Sequence, residues 1–316
     1  MQAVHFNGEL NLVELPAPRP GKGEALIRVL KAGICNTDLE IMKGYMGFIG
    51  VLGHEFVGVV ETCENPVLQG QRVVGEINCS CRVCPTCRME LPHHCTERTV
   101  LGIQGRNGAF AEFIVLPEEN LHIVPESISD QTAVFVEPLA AAFRILEQID
   151  IAMSDRIVVL GAGKLGQLVA QVLFSKSHNL LCIGKNRWKL ELLKQLQIPT
   201  AHSDDPRERG VADIVVDCTG SYEGFARALE LVRPEGTIVL KTTVTHPTAF
   251  EMSLPVINEV RILGSRCGPF RPALDALEMG TVNVGPMVTD TYDLKDGIRA
   301  FDRAAHRDVF KVLIEM

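Results

Sequence analysis

The chain has 316 residues, a formal net charge of -8, 46% apolar residues and ten cysteines. That length exceeds what one hydrophobic core organises and suits two domains. The acidic balance argues against a nucleic-acid partner and for a protein that handles small molecules. No apolar run approaches the roughly 20 residues that span a bilayer, and the start Met1-Gln2-Ala3-Val4-His5 has no basic segment followed by an apolar one. A soluble, cytoplasmic protein with no membrane partner is therefore expected. In such a compartment thiols serve as metal ligands, nucleophiles or core residues more often than as disulfides.

From Met1 to about Val136, short β-rich runs such as Ala25–Leu30, Phe56–Val60, Arg72–Val74 and Ala111–Val115 are broken by Gly and Pro, which predicts a compact β domain. Within it Cys35 stands in Gly33-Ile34-Cys35-Asn36-Thr37-Asp38, and His54 and Glu55 follow Gly53. Glu137, before Pro138, adds a carboxylate. A thiolate, an imidazole and a carboxylate with one open position make up a catalytic zinc set. Each residue alone also fits a bland role: a buried thiol, a core histidine, a helix start with Pro at its first position. Between the two stretches, Lys43–Gly50 is a glycine-hinged apolar segment that suits either a substrate entrance or a surface loop.

Cys81, Cys84, Cys87 and Cys95 are spaced C-x2-C-x2-C-x7-C in a stretch with no hydrophobic pattern of its own. Four close thiolates suit tetrahedral zinc, which supplies folding energy that the side chains there do not. An iron–sulfur cluster and a set of unlinked thiols are the alternatives. Cys79 falls outside the spacing, and His93 and His94 read as surface loop.

From Ile157 onward strands alternate with helices, the pattern of a doubly wound parallel sheet. The run Ile157–Leu160 empties into Gly161-Ala162-Gly163-Lys164-Leu165-Gly166 and then a helical pattern. Gly161 permits the turn, Gly163 lets a pyrophosphate reach the backbone, Gly166 lets helix pack on strand, and the helix N-terminus offers N–H donors to phosphate. The next strand ends in Gly184-Lys185-Asn186-Arg187, where an enzyme specific for NAD carries an acid for the ribose hydroxyls. Two cations stand there instead, and charge-assisted hydrogen bonds from Lys185, Asn186 and Arg187 would hold a 2′-phosphate, so NADP is favoured over NAD. The rival reading is a solvated turn before the helix at Trp188. The stretch Gln197–Val211 lacks a clear helix, so one crossover is expected to be a loop. Residues 1–138 with 269–316 are expected to form one domain and residues 139–268 the other.

In this order and at these separations, the Gly33–Asp38 stretch, Gly53-His54-Glu55, the four-cysteine lobe and the glycine turn resemble the zinc-dependent medium-chain dehydrogenase/reductase family, the alcohol and polyol dehydrogenases. The resemblance implies a GroES-like β-rich catalytic domain joined to a Rossmann domain, two zinc ions per chain, and a homodimer or homotetramer, with an edge strand near Val256–Leu263 as a pairing edge. It implies Cys35 and His54 as catalytic zinc ligands. The third ligand position falls at Glu137, as in the polyol branch, and Glu55 competes for it. Asp38 matches the carboxylate that orients the histidine, and Thr37 the hydroxyl that takes the substrate proton. Where many members carry a proton-relay histidine, this chain has Glu40.

The reaction so implied is hydride transfer between a secondary alcohol or polyol and a nicotinamide, with Thr37 accepting or relaying the proton. Two rivals remain at this stage: a zinc-free quinone or enone reductase of the same superfamily, and a zinc-ribbon module reading nucleic acid through Cys81–Cys95.

Overall fold

The computed structural model describes residues 1–206, 209–241 and 252–316. The chain divides into two compact units, one formed by Met1–Glu137, Ala273–Glu278 and Asn283–Met316, the other by Pro138–Pro272 and Met279–Val282.

The first unit is built on a seven-stranded sheet. Its strands run in the order Leu121–Ile123, Arg72–Gly75, Glu55–Thr62, Glu24–Gly33, Lys311–Glu315, Val288–Asp293, and Phe113–Pro117 also pairs with Glu24–Gly33. Alternate residues of Glu24–Gly33 are buried, Ala25, Ile27 and Val29 among them, so period-two patterning becomes one covered face. Register decides what this sheet delivers. Gly33 faces Glu55 on one neighbouring strand and Leu313 on the other, so the ends of three strands meet where the first ligand-bearing stretch leaves the sheet.

The second unit carries a six-stranded parallel sheet in the order Thr200–His202, Leu180–Gly184, Ile157–Leu160, Ala212–Asp217, Val232–Leu240, Arg261–Gly264. Ile157–Leu160 is buried throughout, as a central parallel strand covered on both faces must be. Helices Lys164–Phe174, Arg187–Gln195 and Tyr222–Leu231 form the crossovers. After His202 the chain returns to Ala212 with no helix among the described residues, the loop that its composition predicts.

One expectation is corrected. Val256–Leu263 is not a continuous strand: Ser253–Ile257 is a helical turn and only Arg261–Gly264 pairs at the sheet edge. Pro255 has no N–H for a ladder and a φ suited to a first helical turn, and its carbonyl accepts from Val260 N at 2.9 Å to close that turn.

Candidate active site and metal centres

Cys35 follows the strand end at Gly33 and sits at the N-cap of the helix Asn36–Met42, with extended backbone. His54 follows Gly53, whose φ of 99° is left-handed, and precedes the strand Glu55–Thr62. The two stretches are tied by one carboxylate. Asp38, fully buried, accepts from Cys35 N at 2.8 Å through Oδ2 and from Gly53 N at 3.2 Å through Oδ1. His54 Nδ1 lies 3.3 Å from that same Oδ1, outside hydrogen-bonding geometry. Burial opposes a charged imidazole, but the Asp38 carboxylate and then the Cys35 side chain outweigh it and raise the pKa of His54 well above its ordinary value. Thr37 Oγ1 lies 3.7 Å from Cys35 Sγ.

Ligand atoms of Cys35, His54 and Glu55 all lie within 4.8 Å of one another, close enough to share an ion. Glu137 opens the helix Val136–Gln148, half-buried, and is not in that group. Glu40 is ion-paired at the surface with Lys43, 2.8 Å away. Glu55 and His54 each leave a buried polar atom, Oε1 and Nδ1, with no hydrogen-bond partner among the described residues. With Nδ1 turned to Asp38, the unpartnered Glu55 Oε1 in a thiol, imidazole and carboxylate cluster fits a cation.

In the lobe, Sγ of Cys84 lies 3.5 Å from that of Cys87 and 3.8 Å from that of Cys95, and Cys95 Sγ lies 3.5 Å from Cys81 Sγ. A tetrahedron with zinc–sulfur bonds of ~2.3 Å has edges of roughly 3.8 Å, so this spacing is that of a zinc cage. Disulfides, with sulfurs ~2 Å apart, are excluded by the same distances. The Cys87 backbone N–H, followed by the neighbouring thiols, lowers Cys84 to about 6, towards the thiolate that a metal needs. Cys79 is apart from the cage, buried beside Asn120, and its thiol is raised by burial. His93 and His94 lie in a short 3-10 turn.

In the second unit Gly161 has a φ of 96°, which opens the turn. A Cβ on Gly166 would stand 1.7 Å from Gly161 O, so only glycine lets the helix Lys164–Phe174 lie so near the strand. A Cβ on Gly163 would meet nothing within 4 Å, which leaves its backbone open to a ligand at the helix N-terminus. Gly184 is packed: a Cβ there would lie 2.8 Å from Ala162 Cβ, so no acid fits at that strand end without moving the glycine turn. Lys185 and Arg187 are exposed, and Asn186 is the N-cap of the helix Arg187–Gln195.

Residues 21–126 match the family model of the alcohol dehydrogenase GroES-like domain and residues 165–279 that of the zinc-binding dehydrogenases. An L-threonine 3-dehydrogenase of Streptomyces avermitilis is 31% identical over 96% of this chain and 95% of its own. The chain belongs to the zinc-dependent medium-chain dehydrogenase family. A sorbitol dehydrogenase of Halalkalibacterium halodurans is 28% identical over 99% of this chain and 98% of its own. The RspB alcohol dehydrogenase of Escherichia coli CFT073, solved with NADH, superposes with a TM-score of 0.92 at 26% identity, over 100% of this chain and 99% of its own.

This medium-chain dehydrogenase is thus an NAD(P)-linked oxidoreductase of the alcohol and polyol type. One of its residues escaped sequence reasoning. Lys311, 2% exposed, pairs through Nζ with Glu55, and it lies 5.6 Å from the Phe135 ring. Burial opposes its charge, but Glu55 and then Cys35 outweigh that penalty and raise its pKa. Gly33 makes room for the pair, since a Cβ there would lie 2.7 Å from Glu55 Oε2 and 3.2 Å from Lys311 Cδ. The Lys43–Gly50 segment forms a short turn at Tyr45–Gly47. With Ile103–Asn107 its Met46–Ile49 portion lines an open cavity of about 350 Å³.

Proposed function

We propose that this dehydrogenase is zinc-dependent, prefers NADP, and interconverts an aliphatic secondary alcohol or polyol with its carbonyl. The observation that carries the reading is the grouping of Cys35, His54 and Glu55 within 4.8 Å, braced by Asp38. Cys35 and His54 hold the catalytic ion. Glu55 or Glu137 supplies the third place. Cys81, Cys84, Cys87 and Cys95 hold a second, structural ion. When bound, zinc supplies Lewis-acid polarisation of a substrate oxygen and the dinucleotide supplies hydride chemistry.

The protein's own residues do the rest. Asp38 fixes both ligand-bearing backbones and stands beside Nδ1 of His54, which leaves Nε2 for an ion. Thr37, two residues from Cys35, offers a hydroxyl for the substrate proton, and Glu40, on the next helical turn, is the candidate to pass that proton to solvent. Lys311 neutralises Glu55, which favours Glu137 as the acid left to complete the set. Gly161, Gly163 and the backbone of Lys164, Leu165 and Gly166 receive the pyrophosphate. Lys185, Asn186 and Arg187 receive a 2′-phosphate, and the crowding at Gly184 supports that choice because it keeps an acid away. Relatives named for sorbitol and for L-threonine support an aliphatic hydroxylated substrate.

Metal analysis with steady-state kinetics tests this reading. Two zinc ions per chain are expected. Cys35→Ser should lose one of them together with turnover and keep the other. Glu137→Gln should lower catalytic zinc more than Glu55→Gln does. A tenfold or greater kcat/KM preference for NAD would overturn the coenzyme choice, and an active Cys35→Ser enzyme would overturn the site.

A further inference from the structure

Lys185 and Arg187 are exposed, yet their turn and the start of the helix that follows it are held by two side chains with no place in the reaction. On one side is Gln167, fully buried in the helix Lys164–Phe174. Its Nε2 donates to Ala162 O, inside the glycine turn, at 3.2 Å, and to Lys189 O, in the first turn of the helix Arg187–Gln195, at 2.7 Å. Both partners are carbonyls, so the amide orientation is fixed by its neighbours. Oε1 has no partner among the described residues, so the side chain is kept at a cost. On the other side is His202, at the end of the strand Thr200–His202. Its Nε2 lies 2.9 Å from Lys185 O, and a carbonyl only accepts, so Nε2 carries the proton. Nδ1 accepts from Asp204 N at 3.3 Å, which fixes the tautomer. Ser203 N adds a bond to Gly184 O at 3.0 Å.

We propose that Gln167 and His202 are positioning residues for coenzyme selection, a two-sided clamp that sets the Lys185–Arg187 turn at a fixed spacing from the phosphate-binding glycine turn. The inference rests on the 2′-phosphate reading given above and extends it to residues that never touch the coenzyme. Gln167 sets the distance between the glycine turn and the helix that carries the Lys185–Arg187 turn at its N-terminus, because its one amide nitrogen bonds to Ala162 O in the first and Lys189 O in the second. His202 fixes the direction of the Lys185 peptide. Charge-assisted bonds to phosphate depend on placement to about 0.5 Å, so a turn freed on either side loses 2′-phosphate affinity and keeps pyrophosphate affinity.

The chain's one tryptophan, Trp188, follows that turn in the helix Arg187–Gln195 and is 43% exposed, so its fluorescence serves as the probe of coenzyme binding. The experiment titrates NADP⁺ and NAD⁺ into the full-length wild-type protein, Gln167→Leu and His202→Leu, with thermal melts of each. Gln167→Met serves if the leucine variant does not fold. The expected result is a wild-type Kd ratio favouring NADP⁺ by tenfold or more, which each variant cuts at least fivefold by weakening NADP⁺ while NAD⁺ binding stays within twofold. A variant that keeps the ratio within twofold of wild type, or weakens both coenzymes equally, overturns the clamp. A wild-type ratio of one or below overturns the underlying coenzyme reading instead.

Discussion

Replacing Lys311 by methionine removes one charge of a pair whose side chains are 2% and 0% exposed. Methionine keeps the length of the stem and the packing on Phe135, so the change is almost purely electrostatic. The Glu55 carboxylate is then left buried without its counter-charge, and breaking a buried pair in this way costs about 3–5 kcal/mol. Since ~1.4 kcal/mol is a factor of ten in an equilibrium constant, the folded-to-unfolded ratio of the unit falls by roughly two to four orders of magnitude. Urea unfolding at neutral pH measures the loss. Circular dichroism is the probe, because Trp188 belongs to the other unit. Glu55→Gln with Lys311→Met removes both charges, and the double variant should recover most of the deficit. A single variant within about 1 kcal/mol of wild type, or a double variant no more stable than the single one, would refute the buried pair as a structural element.

Gly33→Ala places a Cβ 2.7 Å from Glu55 Oε2 and 2.8 Å from Val134 Cγ1, and should destabilise by about 1–3 kcal/mol in the same assay through overpacking. Gly166→Ala drives a Cβ into Gly161 O, so coenzyme Kd by tryptophan fluorescence should rise at least tenfold while zinc content stays at the wild-type level. Asp213 accepts from Arg233 Nε at 2.6 Å and from Arg156 N at 2.8 Å. Burial alone would raise its carboxyl, but these donors outweigh it and lower the pKa. A carboxyl with a depressed folded value contributes stability above its ordinary pKa of ~3.9 and loses it as pH falls through the folded one. The stability gap between wild type and Asp213→Asn should therefore shrink in acid unfolding below about pH 4, and a gap that widens there would contradict the ion pair.

The parts legible in the sequence are those in which local pattern and final structure share a cause. β-branched runs alternating with helical periodicity become a parallel sheet because each crossover is short, and the four-cysteine spacing is local enough to close a cage by itself. Cys35, Thr37 and Asp38 occupy one helical turn, so the capping geometry that joins them follows from their spacing. Lys311 was invisible for the opposite reason. It pairs with a residue 256 positions away, and no local period reports a contact fixed by strand register. Its one signal was a lysine inside the apolar run Val309–Ile314, where an unpaired charge is too costly to bury. The edge strand expected near Val256–Leu263 is present but shorter, Arg261–Gly264, because the turn Ser253–Ile257 with its Pro255 occupies the residues before it. Gln167 went unnoticed because a glutamine in a helix reads as surface, whereas here the neighbouring helix covers it.

The Asp38 carboxylate sets the two proposed metal centres apart. It holds the Cys35 and Gly53 backbones together with hydrogen bonds that need no metal, so the proposed catalytic pocket is braced independently of its ion. Among residues 81–98 only Cys95 is buried, and apart from the four sulfurs that stretch is held by two short helical turns and exposed polar contacts. If the proposed ions are bound, a chelator is expected to leave the Asp38-braced pocket as a preformed socket and to loosen the four-cysteine loop.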